Sequence, residues 1–487
     1  MVGNVLLLAG ELIRSHNMRI TMMSAIPLLK NCLSILSECC SDQKKLGDLS
    51  DQAEDATAKR RRVRQQSLSG RKLGSSTLLI CALTCTQRIL DQFAPFVSQF
   101  IPEVLVQFCR LYGRHCELDA AVATNLQDRP QTLQTSSIQH RLELIRSALL
   151  KLEVRVIGEH FAKAVMQLIG EEKALIALFS LFKRYFDQKN RAVITQMRDT
   201  FMSEVFLKGL EYRCQDRDVE NVERIENVEK SVFSALLAMA EVLTENTLRS
   251  VMNALVDWAE RGLKPSATRN ERGRLVTVFT FANSFYESFN SLALPYFGKL
   301  IEMSVKVLNS CNATIITDPS LLLLHGKKDT IDGKEADSLV TAVIDFVGNC
   351  ARHPEFFTED RASSLVEPLT DELVNSKLAG HERRCVPHLS DTLYRISDTH
   401  PDIFQTILDK ILLKTRSGRA KIRYRALLVV EAMFDKVGDG VAPHLPMVMP
   451  FLSELLEDEN HNVEEQCDRI VRLLQSKFGE NICEGFA

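Results

Sequence analysis

Cys385, Ala426 and Cys467 stand 41 residues apart, and so do Leu389, Val430 and Val471, and Ile396, Val437 and Phe478. Each triplet is apolar or small, and each falls at the same place within a helical apolar pattern. A period of ~40–47 residues is that of stacked helical hairpins, and it constrains the fold more than any other feature of the chain. A hairpin of this kind cannot bury its apolar face alone, so its neighbours in sequence must also be its neighbours in space. A small side chain at 385, 426 and 467 is expected where the two helices of a unit approach closely.

The last unit shows the pattern in full, in LPMVMPFLSELLEDENHNVEEQC from Leu445 to Cys467. Leu445, Val448, Phe451, Leu452, Leu455 and Leu456 form one helical face, and Val463, Cys467, Ile470, Val471 and Leu474 form the next. Glu457, Asp458, Glu459, Asn460 and Asn462 make the turn between them. Pro446 suits a first helical turn. Pro450, like Pro27, Pro95, Pro102 and Pro368, has two readings: it bends a helix from inside, or it begins one a residue later. Pro368 and Pro450 are two periods apart, but the intervening unit, IFQTILDKILLKT, is out of step by about one residue.

The rest of the chain divides by pattern. Residues 1–40 are helical, 41–76 are polar and expected to be a disordered insertion, and 77–310 return to helical periodicity. A second polar stretch covers 117–137, around Asp128-Arg129-Pro130. Residues 311–336 are expected to be a loop containing Gly326 and Gly333, and 337–487 hold the clear repeats. Strand signals are nearly absent. The expected fold is all-α, an α-solenoid of hairpins with disordered insertions.

No apolar run approaches the ~18 residues of a membrane span. The start, MVGNVLLLAGELIRSH, meets Glu11 early and lacks the basic flank of a secretory signal. The 13 cysteines are odd in number and scattered, as expected of reduced, mostly buried thiols. HERRC at 381–385 approaches the H-E-x-x-H zinc helix, but Cys385 stands where the second histidine is needed and is already assigned to the repeat core. GKKDTIDGKE at 326–335 fails as a phosphate loop, because Glu335 follows Gly333-Lys334 where Ser or Thr is required. Cys81 and Cys85 are a core pair at helical spacing, and Cys109, His115 and Cys116 lack a partner pair at zinc spacing. The chain is therefore expected to be non-enzymatic, with no cofactor, metal or small-molecule substrate.

Lysine and arginine total 60 against 63 acids, so any nucleic-acid contact must be local. Two segments are basic. Lys59, Arg60, Arg61, Arg62 and Arg64 resemble a nuclear import signal, or are a solvated charge run, and Arg64-Gln65-Gln66-Ser67 has a basophilic kinase spacing. Lys414, Arg416, Arg419, Lys421, Arg423 and Arg425 gather six cations at one turn. They are a candidate RNA or acidic-partner patch. The other reading of the same six is an ion-paired edge between repeats.

The last unit resembles a HEAT repeat, whose turn Asp often pairs with an Arg after the Val. Asp458 fits, but Glu464 replaces that Arg, which is expected to weaken a charge ladder at this unit. The order of motifs resembles one family over 250–487: Asp257-Trp258, RGRLVTVFTFANSF, LPYFGKLIEMSVKVLN, DFVGNCARHPEFFTEDRASSLVEPLTDELVN, ILLKTRSGRAKIRYRALLVVEAMFDKVGD and the closing unit. It is similar to the C-terminal part of the HEAT-repeat protein associated with the U-three small nucleolar RNA, in the small-subunit processome. Members are much longer, so the resemblance implies a C-terminal piece of a longer protein. It also implies a nucleolar scaffold in pre-18S ribosomal RNA processing and ribosomal DNA transcription. The implied partners are processome proteins, U-three RNA and pre-ribosomal RNA, with no membrane. The other reading of the same architecture is a HEAT adaptor or nuclear transport receptor that binds protein cargo.

Overall fold

A computed structural model describes residues 2–14, 18–47, 58–116, 133–188, 191–215, 222–316, 322–323, 331–375 and 381–479; among them helix dominates and no strand occurs. Among the described residues, no helix is long and apolar enough to cross a membrane. The chain divides into two compact units, Met1–Tyr212 with Glu223–Val251, and Arg213–Val222 with Met252–Ala487.

The first unit contains α1 (Val2–Arg14), α2 (Met18–Gly47), α3 (Ala58–Phe93), α4 (Ile101–His115), α5 (Leu133–Leu150), α6 (Val154–Leu168), α7 (Glu172–Gln188), α8 (Arg191–Phe201), α9 (Leu207–Leu210) and α10 (Val222–Val242). α1, α3 and α5 lie side by side in one layer, and α2, α4, α6 and α8 in a second. Its centre is aromatic. Phe161, Phe179, Phe182, Tyr185, Phe186, Phe201 and Phe206 are all buried, with ring centroids as close as 4.5 Å. Gly209 is required there, because a Cβ would lie 2.4 Å from the Phe179 ring.

After α11 (Glu245–Glu260), the second unit continues with α12 (Arg269–Phe289), α13 (Gly298–Cys311), α14 (Ile331–Cys350), α15 (Glu359–Asp371), α16 (His381–Thr399), α17 (Pro401–Thr415), α18 (Ala420–Val437), α19 (Leu445–Leu455) and α20 (His461–Phe478). A capping box starts α12: the Thr268 hydroxyl accepts the Glu271 amide, and the Glu271 carboxylate accepts the Thr268 amide. The even-numbered helices α12 to α20 stack as one layer, and the odd-numbered α13 to α19 stack as the other. This is the expected stack of hairpins.

The periodic positions form its spine. Cys385, Ala426, Cys467, Leu389 and Val430 are fully buried, and Val471 nearly so. The Cys467 thiol donates to the Leu452 carbonyl at 3.3 Å, so the small residue meets the backbone of its own hairpin partner. Ile396 is buried, whereas Val437 and Phe478 are half-buried because each is the last residue of its helix. Pro446 and Pro102 occupy first turns, and Pro95 the start of a short 3-10 turn. Pro27, Pro368 and Pro450 lie inside helices.

Two expected boundaries are corrected. The segment 41–76 is helical at both ends, as the last turns of α2 and the first turns of α3, while 48–57 lie outside the described residues. Arginine, glutamine, lysine and leucine are good helix formers, so a helix nucleated on the buried Leu79–Phe93 stretch propagates back through polar sequence. Likewise α14 begins at Ile331, inside the expected 311–336 loop. Of the second polar stretch, 117–132 lie outside the described residues, and α5 begins at Leu133.

Candidate interaction edge

The six cations at 414–425 surround the turn between α17 and α18, and the structure gives them different roles. Lys414, in the last turn of α17, reaches Asp371 on α15 at 2.5 Å. Arg416 binds Glu454 on α19 through Nε at 3.0 Å and Nη2 at 2.6 Å, and lies over the Phe451 ring at 4.3 Å from its centroid. Arg419 is the exposed N-cap residue of α18. Lys421, also exposed, meets Glu382 at 3.1 Å. Arg423 makes a two-pronged bond to Asp458, 2.7 Å on each side, and donates to the Ser417 carbonyl at 2.9 Å. Arg425 is fully buried and binds Glu382 at 2.9 Å and the Asn375 carbonyl at 2.9 Å.

Four carboxylates therefore face the six cations: Asp371, Glu382, Glu454 and Asp458. The geometry agrees with the ion-paired edge for Lys414, Arg423 and Arg425, which bridge neighbouring repeats. It leaves Arg416, Arg419 and Lys421 as the exposed cations. Glu464 standing for the usual arginine does not remove the rung at the last unit, because Arg423 of the preceding repeat supplies it. The other rungs follow the same logic. Lys436 meets Asp391 at 2.7 Å, and Lys477 donates to the Phe434 carbonyl at 3.0 Å. His400 bonds the Phe357 carbonyl at 2.5 Å. The missed signal was the interval: Lys414–Asp371, Arg425–Glu382, Lys477–Phe434 and His400–Phe357 are each 43 residues apart, close to one period.

Protonation follows from these contacts. Burial would raise the Glu382 carboxyl, but the hydrogen bonds and charge of Arg425, its own backbone and Lys421 outweigh it and hold it at about 2. At Asp458 burial is likewise outweighed, by the Arg423 hydrogen bonds and the Asn460 amide, and the carboxyl sits below its usual range. Glu372, at the end of α15, goes the other way. It is fully buried, and desolvation pushes it up to about 8 against the opposing pull of Asn375 and Arg425.

The other residues singled out in the sequence also find places. Cys385 is buried in the spine and donates to Asp337 at 3.2 Å. Burial pushes Cys40 up to about 11 and Cys116 and Cys467 to about 12, so these remain protonated thiols at neutral pH. Glu335 is an ion-pair partner: Arg213 meets it at 3.1 Å with both side chains largely buried. Among the described residues, no three His, Cys, Asp or Glu side chains are arranged to hold a metal ion. Lys59, Arg60, Arg61, Arg62 and Arg64 fall on the first turns of α3, and their side chains lie outside the described residues, as does that of Ser67.

Comparison with known proteins gives a consistent set of relatives. The BP28CT (NUC211) domain matches residues 193–356. The chain is similar to a HEAT repeat-containing protein 1 homolog of Caenorhabditis elegans, at 46% identity over 100% of this chain and 31% of the relative. It is similar to the Homo sapiens HEAT repeat-containing protein 1, at 26% identity over 84% of this chain and 18% of the relative. It is also similar to the U3 small nucleolar RNA-associated protein 10 of Aspergillus terreus, at 23% identity over 72% of this chain and 20% of the relative. The chain thus spans less than a third of the length of these relatives. Among solved structures, the karyopherin Kap121p bound to the C-terminus of Cdc14p aligns at a TM-score of 0.43 and 12% identity, over 84% of this chain and 37% of that one.

Proposed function

The chain belongs to the family of HEAT repeat-containing protein 1 and U3 small nucleolar RNA-associated protein 10, and from that premise we propose that it is a non-enzymatic scaffold segment in ribosome biogenesis. In this reading it acts in the nucleolus, within the small-subunit processome, and supports pre-18S ribosomal RNA processing and ribosomal DNA transcription. The name carried by the fungal relatives supports the link to U3 RNA. The observation that carries the scaffold reading is the stack itself: an apolar spine at 41-residue intervals with polar rungs joining each repeat to the next. Such a stack holds surfaces at set separations without bond chemistry. Its partners would be processome proteins, and RNA would touch it through phosphates at Arg416, Arg419 and Lys421, the exposed cations of the edge.

The test is a tagged pull-down from nuclear extract at low salt, with sequencing of the recovered RNA and identification of the proteins. Enrichment of U3 and pre-ribosomal RNA is the expected result. Recovery of transport or adaptor cargo without that RNA would overturn the proposal while leaving the stack of hairpins in place.

A further inference from the structure

The turn between α17 and α18 carries a hydroxyl that its ion pairs do not use. The segment reads Lys414-Thr415-Arg416-Ser417-Gly418-Arg419-Ala420-Lys421, and its two hydroxyls are placed differently. Thr415 closes α17, is 1% exposed and donates to the Leu412 carbonyl at 2.6 Å. Ser417 lies past the helix end and is partly exposed, and its Oγ accepts a long 3.4 Å contact from the Arg419 amide. A Cβ at Gly418 would meet nothing within 4 Å, so the turn is open beside the serine. Its main chain is lightly held. Ser417 donates to the Lys414 carbonyl at 3.1 Å, and its own carbonyl accepts Arg423 at 2.9 Å.

Arg416 stands one position before this serine, and Arg419 and Lys421 stand two and four positions after it. All three are exposed. A serine kinase with an acidic substrate groove reads such a pattern by charge. The same cations suit the product. Arg419 pairs with no carboxylate among the described residues. Arg416 and Lys421 hold Glu454 and Glu382 at the surface, where such pairs exchange at little cost. The six cations of the turn face Asp371, Glu382, Glu454 and Asp458, a surplus of two positive charges. A phosphoserine carries about two negative charges at neutral pH, which is what that surplus can balance.

We propose that Ser417 is a phosphorylation site for a basophilic serine kinase, and that Arg419 and Lys421, with Arg416, hold the phosphate. In the step, the kinase's base takes the hydroxyl proton and Ser417 Oγ attacks the γ-phosphorus of ATP. The bond from that phosphorus to the bridging oxygen breaks, and ADP leaves. The buried Arg423–Asp458 and Arg425–Glu382 rungs are untouched, so the stack keeps its register. The phosphate occupies the cations that RNA would use and so switches the edge off. That last consequence rests on the RNA reading of this edge; the site and the capture of its phosphate do not.

The test treats the purified chain with ATP and a basophilic kinase that reads a basic residue two positions after its acceptor. A peptide of residues 410–425 is treated in parallel, Ser417→Ala is the control, and mass spectrometry locates the phosphate. For titration by phosphorus NMR, phosphoserine is installed at 417 during translation, because removing Arg419 also removes what the kinase reads. The expected result is phosphate on Ser417 of the folded chain, with parental melting. Its second ionisation should lie about one pH unit below that in the Arg419→Ala, Lys421→Ala double variant. The salt slope of binding to a polyuridine strand should fall by about 2. Phosphate on the peptide but not on the folded chain, on neither, or on another residue of the turn would overturn the site. Equal ionisation in the parent and the double variant would overturn the capture. Should the unmodified chain ignore polyuridine while the phosphate is placed and held as expected, the RNA reading falls and the phosphorylation site stands.

Discussion

Replacing Arg425 by Met removes a fully buried cation that joins α18 to the preceding repeat. The guanidinium bonds Glu382 at 2.9 Å and the Asn375 carbonyl at 2.9 Å, with a longer contact of 3.4 Å to the Leu373 carbonyl. A hydrogen bond to a charged group contributes about 1.5–3 kcal/mol, and removing one partner of a buried pair costs about 3–5 kcal/mol. Two features lower the figure here. Glu382 keeps Lys421 at 3.1 Å and is partly exposed, so its charge is not stranded. Met also fills much of the vacated volume and no longer carries a charge that must be desolvated. A net loss of about 3 kcal/mol is expected, or roughly a hundredfold rise in local opening. Because repeat stability is a sum of local and nearest-neighbour terms, the loss should fall on α16–α20 and spare α12–α14. Hydrogen exchange resolved by helix measures this directly. A Met variant at or above parental stability would refute the reasoning, since apolar replacement of a buried pair is sometimes neutral. So would zero coupling in the double-mutant cycle with Glu382→Gln, which would mean that the pair does not act as a pair.

Val430→Asp places a carboxylate at a fully buried spine position and should cost at least about 3 kcal/mol, so a variant that melts with the parent would remove the spine assignment. The Glu372 carboxyl has its folded value raised from the usual 4.5 to about 8, so the stability it contributes is present below pH 4.5 and lost as pH rises toward 8. Glu372→Gln should lose that slope and exceed the parent in stability near pH ~9, as read by urea unfolding at several pH values. The Asp458 carboxyl is shifted the other way, below its usual 3.8, so its contribution is present above that pH and lost in more acid solution. Asp458→Asn should flatten this acid limb while losing stability at neutral pH. Changing Arg419 and Lys421 together to Ala should leave the melting temperature unchanged and reduce the salt slope of RNA binding by about 1–2. An unchanged titration would take RNA off this edge.

The spine was legible in the sequence because burial demands the same kind of side chain at each turn of the stack. Cys385, Ala426 and Cys467 are each fully buried, and a fully buried position admits only a small or apolar side chain, so these residues repeat strictly. The first helices were less legible because their starts vary. α17 opens directly on Pro401, whereas α19 follows a 3-10 segment, Gly438–His444, and opens with Pro446 in its first turn. The helical ends of 41–76 were hidden because a solvated helix needs only good helix formers and no apolar period. At the basic edge, the cations were visible and their partners were not. The sign of Arg423 can be read locally, but Asp458 lies in the next hairpin, and only the fold brings the two within 2.7 Å.

This division of labour follows from what each kind of contact can specify. Apolar burial at Leu389, Val430 and Val471 favours any arrangement that excludes water, so it tolerates sliding of one repeat on the next. A two-pronged Arg423–Asp458 pair does not, because both bonds are made in one relative placement only. The rungs therefore set the register that the spine stabilises. They also leave Arg416, Arg419 and Lys421 at the surface where two repeats meet. A phosphate bound there would compete with Glu454 for Arg416 and with Glu382 for Lys421. Glu382 keeps the buried Arg425 if Lys421 turns outward, whereas Arg416 would have to leave both Glu454 and the Phe451 ring. Arg419 and Lys421 are accordingly the cations that an anionic partner can recruit at least cost to the stack.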